Sequence, residues 1–203
     1  MGTWFAELHR SEGVDLILGE QVLGYQGERR VKALLLGSGR VVQCDHVLVG
    51  VGVAPDLNWL TGSGLDTRGV QTDADSRSEA PDVYAAGDAA AVFDPLLGRH
   101  VLGGHWESAA RQGMRAAKAM LGLDTGPPAV SSFWSDMYET RVQYLGHASP
   151  DDDVHFDGDP GSREFTATFM RREQPVAVLL VGRPQLLPEA RALLSRPAEA
   201  ART

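Results

Sequence analysis

Gly126-Pro127-Pro128 divides this chain. Two consecutive prolines lack amide donors and have fixed φ angles, so neither a helix interior nor a central strand passes through them. The surrounding stretch "LDTGPPAVSS" is therefore expected to be a linker. Ahead of it, short apolar runs alternate with helical periodicity; behind it, strand-like runs dominate and one short helix follows. A chain of 203 residues is long enough for one large domain or two small ones.

The amino-terminal part begins with "TWFAELHRSEGVDLILGE". Trp4, Phe5 and Leu8 share one side of an amphipathic helix, Gly13 stops it, and Val14 to Leu18 form an expected apolar strand. This is the second half of a strand–helix–strand unit without its first strand, as though the chain began in mid-domain. From Val31 to Val53 the pattern predicts a hairpin, "VKALLL" and "VVQCDHVLVGVGV" flanking the turn "GSGR". "DLNWLTGSGL" predicts a short helix and a glycine-rich turn, and "DVYAAGD" a strand. "HWESAARQGMRAAKAMLG" predicts a helix with Ser108 as its N-cap and Gly122 at its end.

Beyond the linker, "FWSDMY" and "TRVQYLG" are expected strands, and "SPDDDVHFDGDPG" an acidic loop. "EFTATFMRREQPVAVLLVGRP" is an expected hairpin and "LPEARALLSR" a final helix. The formal net charge of −8 argues against a nucleic-acid partner. A single cysteine, Cys44, excludes a disulfide framework and Cys-x-x-Cys dithiol chemistry. Cys44 sits inside a strand pattern and is expected to be a small buried residue. With no apolar run of membrane-spanning length and no signal-peptide order at "MGTWFAELHR", a reducing cytoplasm is the expected location. "DGDPG" lacks the ligand order and closing glutamate of a calcium loop, so a solvated acidic loop is the better reading.

The chemistry centres on Gly87-Asp88. A strand of small residues ending in Gly then Asp places a carboxylate at the carboxyl edge of a sheet, where open α/β folds bind ligands. There it can accept hydrogen bonds from sugar-alcohol hydroxyls; it can equally cap a turn. The helix opening at His105-Trp106-Glu107-Ser108 follows closely, and its first amides carry roughly half a positive charge. Aimed at a flavin, that start favours negative charge on the N1–C2=O edge; otherwise Trp106 and His105 are ordinary packing at a helix entry. Arg111, Arg115 and Lys118 fall on one helix face, either a solvated face or a docking patch for an acidic partner.

These segments carry a resemblance. "TDADSRSEAPDVYAAGDAA", "GRHVLGGHWESAARQGMRAAKAML" and "FWSDMY", in that order, resemble the ferredoxin-reductase family of FAD-dependent pyridine nucleotide oxidoreductases, the reductase components of oxygenase and cytochrome P450 electron-transfer chains. "HRSEGVDLILGEQV", "CDHVLVGVGVAPDLNWL" and the late "GRP" fit the same family. The resemblance implies that Asp88 binds the ribityl chain, with Gly87 allowing close approach. It implies that Trp106, Glu107 and Ser108 face the isoalloxazine pyrimidine edge and that Trp134 lies beside the flavin ring. Gly52 and Pro55 match the turn leading from the NAD domain back to the flavin domain.

The family's two G-x-G-x-x-G fingerprints have no counterpart. "GVGVAP" (Gly50 to Pro55) and "GSGRVV" (Gly37 to Val42) lack the third glycine and open no helix after a strand. The resemblance is to the carboxyl-terminal half of the family. It implies an α+β chain: partial FAD/NAD(P)-binding α/β segments followed by a small α/β carboxyl-terminal reductase domain. The expected divisions are 1–54 (tail of the NAD(P)-binding domain), 55–126 (second segment of the FAD-binding domain) and 127–203 (carboxyl-terminal domain). The implied activity passes electrons from NAD(P)H through FAD to a ferredoxin-type iron–sulfur protein, and the chain alone is expected to be inactive. A non-catalytic module for homodimerisation or ferredoxin docking, and an apoptosis-inducing-factor-like flavoprotein, are the alternatives.

Overall fold

A computed structural model describes residues 1–94, 97–127 and 130–195, so Pro95, Pro128 and Arg196 of the expected segments lie outside the described residues. The chain divides into two compact units, Met1–Gly52 and a second that starts at Val53.

In the first unit, helix α1 (Gly2–Ser11) buries Leu8, and the Trp4 and Phe5 rings meet edge to face at 5.0 Å. Strands β1 (Val22–Gln26), β2 (Ala33–Leu36) and β3 (Val41–Gln43) form an antiparallel sheet in that order. The expected hairpin is present, with Gly37–Arg40 as its turn, and β1, a short run interrupted by Gly24, adds a third strand that was not expected. Two expectations are corrected. Val14 to Leu18 belongs to no strand, and the second hairpin strand stops at Gln43 rather than reaching Val53. A strand needs a neighbour for its amides and carbonyls, and neither stretch has one among the described residues. Leu48, at 98% exposed, and Val51, at 88%, stand in solvent. Cys44 is half-buried rather than buried, its amide donating to the Lys32 carbonyl at 2.9 Å just past β3.

The second unit holds two sheets. In the smaller, β4 (Val70–Thr72) runs parallel to β5 (Ala90–Asp94), which pairs antiparallel with β6 (Arg99–Leu102). Leu57, Leu60 and Val70 make its small core, with Leu65, Ala85 and Ala89 packed around them. Leu60 closes a turn of 3₁₀ helix at Asn58–Leu60, where a short helix was expected. The long helix α2 (Trp106–Met120) follows, with Gly122 just past its end.

The larger sheet has the order β7-β8-β11-β10-β9, all neighbours antiparallel. Its strands are β7 (Ser132–Met137), β8 (Thr140–Gly146), β9 (Asp153–Asp159), β10 (Glu164–Arg171) and β11 (Gln174–Val181). Helix α3 (Leu187–Leu194) covers one face, packing Ala190 and Leu194 onto Leu145, Val178 and Leu180. Fully burying a side chain such as Leu145 contributes about 1.5–3 kcal/mol. β11 lies at the centre and is buried from Ala177 to Val181, which is why it reads as an unbroken apolar run. Gly146, at φ +81°, ends β8 where a Cβ would stand 2.2 Å from the Val176 carbonyl oxygen, so only glycine fits.

β9 corrects the expected acidic loop. All seven of its residues are exposed, so the short alternation of Val154 and Phe156 marks no buried face, and pairing to β10, with the Phe156 ring 5.9 Å from Phe165, makes it a strand. The "DDD" run is not uniformly solvated either. The Asp152 side chain is 2% exposed and accepts two bonds from Arg171, each 2.7 Å. Arg171 holds the Asp152 carboxyl below its usual range, against the opposing effect of burial.

Candidate functional site

The segment "VYAAGDAA" does not form the expected strand ending at Asp88. Tyr84 makes only an isolated bridge to Arg77, Gly87–Ala89 is a turn of 3₁₀ helix, and the strand, β5, starts after the aspartate. The carboxylate therefore stands at the amino end of β5, not at a strand's carboxyl edge. Gly87 explains the course of the backbone: its φ of +74° is open to glycine at little cost. Its amide donates to Gln112 Oε1 at 2.7 Å, and a Cβ placed on it would sit 3.5 Å from Ala109 Cβ. The turn is thus seated on the second turn of α2. Asp88 is exposed, and its carboxylate takes no hydrogen-bond or ion-pair partner among the described residues.

The start of α2 lacks a side-chain cap. His105 occupies the N-cap position with extended backbone, and its ring gives no capping bond. It stacks instead on Phe133 of β7, centroids 4.8 Å apart and planes 21° from parallel. Ser108, the expected cap, is already the third residue of the helix. The first-turn amides of Trp106, Glu107 and Ser108 are left to an outside acceptor or to water. The Trp106 indole is 81% exposed.

The Glu107 carboxylate is engaged within the protein. It pairs with Arg111 one turn on, accepts from Ser132 Oγ of β7 at 3.2 Å, and accepts from the Arg191 guanidinium of α3 at 3.4 Å. Arg191 also donates to Ser132 Oγ at 3.2 Å. Burial works to raise the Glu107 carboxyl, but Arg111, Arg191 and Ser132 outweigh it and hold it below its usual range. Trp134 is 47% exposed on β7, with the Arg141 guanidinium 5.8 Å from its ring centroid, a cation–π geometry.

The basic face of α2 splits on inspection. Arg115 is no docking residue: it donates to the carbonyls of Ala74, Thr125, Gly126 and Pro127 and to Asp75 Oδ1. Thr125 Oγ1 donates to the same Asp75 oxygen at 2.7 Å. That bond, with Arg77 and Arg115 and against burial, lowers the Asp75 carboxyl. Arg115 therefore fixes the start of the linker to the 73–77 turn. Sequence reasoning missed this clamp, along with Gln112, Ser132 and Arg191. The partners of Arg191 lie 59 and 84 residues away, so no local pattern announces them.

Gly52, at φ +85°, and Pro55 lie outside any strand or helix. "GSGR" is the β2–β3 turn and "GVGVAP" leads into no helix, so neither forms a pyrophosphate cradle. No group of three metal-ligating side chains occurs among the described residues, and no helix there is long and apolar enough to cross a membrane.

The sequence matches the pyridine nucleotide-disulphide oxidoreductase family over residues 1–113 and the reductase C-terminal family over residues 132–203. It is 33% identical over 187 residues to a probable ferredoxin reductase, CtmF, of Castellaniella defragrans, covering 91% of this chain and 46% of that one. Apoptosis-inducing factor 3 of Homo sapiens is 34% identical over 157 residues, 74% of this chain and 26% of the relative. Among solved structures, the covalent putidaredoxin reductase–putidaredoxin complex matches with a TM-score of 0.89 at 25% identity, covering 95% of this chain and 47% of that one. The chain spans about half the length, or less, of these relatives.

Proposed function

Since the chain belongs to the pyridine nucleotide-disulphide oxidoreductase family, we propose that it supplies the carboxyl-terminal half of a flavoprotein reductase. That enzyme passes electrons from NAD(P)H through FAD to a ferredoxin of an oxygenase or P450 system. The observation that carries the reading is the seat of the Gly87-Asp88 turn on the second turn of α2, a helix whose start has no side-chain cap. An unpartnered carboxylate on a turn packed against α2 suits a polyol, and the uncapped first amides of the same helix suit an electron-rich ring edge. Held by the complete cofactor site, FAD would supply the hydride-accepting and single-electron-releasing chemistry.

This chain's own residues bind and orient. Asp88 takes sugar-alcohol hydroxyls, each charge-assisted bond contributing about 1.5–3 kcal/mol. The α2 amides favour negative charge on the pyrimidine edge by about 0.3–2 kcal/mol. Trp106 and Trp134 offer exposed indole faces, and Glu107 contributes through its backbone, its carboxylate being spent on Arg111, Arg191 and Ser132. The single cysteine leaves no dithiol for this chain to use. Against a cost of about 4–15 kcal/mol for immobilising a ligand, these contacts hold FAD weakly without a pyrophosphate cradle. Ferredoxin is the proposed partner, on the strength of the putidaredoxin reductase–putidaredoxin likeness. The test joins this chain to the amino-terminal half of the Castellaniella relative. The chimera is expected to hold FAD and reduce a ferredoxin with NADH, and Asp88→Ala to lower flavin occupancy. A folded chimera whose flavin content ignores Asp88→Ala overturns the flavin reading. One that holds FAD and reduces no ferredoxin moves the assignment towards the apoptosis-inducing-factor-like relative.

A further inference from the structure

Strand β7 is gripped on both faces by residues at the start of α2. Ser132 and Trp134 pair with Leu145 and Gln143 in an unbroken register, so both side chains lie on one face of the strand. Phe133 lies on the other. His105, immediately before α2, stacks on Phe133, while Glu107, the second residue of α2, takes the Ser132 hydroxyl. Ser132 is buried at 8% exposure, and Trp134, two residues on, is open to solvent. Whatever fixes Ser132 also fixes the backbone from which Trp134 projects.

Two arginines neutralise Glu107, but they are not equivalent. Arg111 belongs to α2 itself, so its ion pair ties the helix to nothing else. Arg191 comes from α3 and donates both to Glu107 and to Ser132, closing a triangle between α2, β7 and α3. Removing Arg191 leaves Glu107 paired with Arg111 and still accepting from Ser132, while cutting the tie from α3 to both. We propose that Arg191 is a positioning residue. Through Glu107 and Ser132 it holds the face of β7 that carries Trp134 in fixed relation to the helix start that carries Trp106. What the two indoles are positioned for rests on the flavin reading above; the tie itself does not.

The test uses the indole N–H resonances of the four tryptophans, Trp4, Trp59, Trp106 and Trp134, each assigned by its Phe substitution. Arg191→Gln is expected to shift and broaden the Trp134 signal while leaving Trp4 and Trp59 in place. Arg191→Lys, which keeps the charge and N–H donors on a single nitrogen, is expected to return the Trp134 signal towards its parent position. Ser132→Ala is expected to move Trp134 in the same way with Arg191 intact. An unmoved Trp134 in Arg191→Gln overturns the proposal. So does a common shift of all four signals with a fall in melting temperature, which makes Arg191 a pillar of the fold. Should Arg191→Gln fail to fold, Ser132→Ala decides, because it removes one oxygen; no Trp134 shift there also overturns the proposal. FAD is read separately in the chimera with the Castellaniella half: absence of any Trp106 or Trp134 shift on loading counts against the flavin reading and leaves the Arg191 result standing.

Discussion

Two apolar runs of similar composition meet opposite fates in this molecule. Val176 to Val181 lies at the centre of the larger sheet, bonded to β8 on one side and β10 on the other, and is almost wholly buried. His46 to Val53 holds the same number of Val and Leu residues, five, yet forms no strand and leaves Leu48, Val51 and Val53 almost fully exposed. The difference lies in the neighbours, not in the run. β-propensity measures how well a residue fits a half-buried pleated surface, and that surface exists only where a flanking strand and a covering layer supply it. The carboxyl-terminal sheet has both within its own sequence, from β7 to α3.

Substitutions at matched positions sharpen this contrast. Leu145→Ala, beneath α3, is expected to cost about 2–5 kcal/mol through the cavity left among Val178, Leu180 and Leu194, read as a fall in the denaturant midpoint. A loss under 1 kcal/mol would mean that the sheet core is loosely packed. A smaller effect is expected from Asp152→Asn, about 1.5–3 kcal/mol for charge-assisted bonds to Arg171. The Asp152 carboxyl is depressed in the folded state, so its contribution is fully present above the ordinary aspartate value of about 3.9 and is lost as the pH falls below it. Denaturation followed from pH 6 downwards in parent and variant should converge at the acid end; a constant gap would break the ion-pair account. Least of all is expected from Leu48→Ser, within about 0.5 kcal/mol, as for exposed sites lacking special contacts. A large loss there would show that the first unit buries this leucine in solution.

The readable parts of the fold were those whose burial is local and periodic. The β10–β11 hairpin, α2 and α3 each carry their apolar side in a few consecutive turns or alternations. β9 was unreadable because all of its side chains are exposed, so no buried face marks it. "DVYAAGD" misled in the other direction: its small residues fit a strand pattern, but Gly87 turns the chain onto α2 before pairing begins. At the candidate site, Gly87, Asp88 and the helix start were visible as neighbouring motifs. The roles of Arg115 and Arg191 were not, because each acts on groups brought close only by the tertiary fold.

Sheet edges are where chains recruit copies of themselves, and β9 is such an edge. It offers Asp153, Asp157 and Asp159 along seven exposed residues, and Asp157 is met by Arg183. A second molecule approaching strand to strand would confront aspartate with aspartate, so the larger sheet carries its own terminator against fibrous growth.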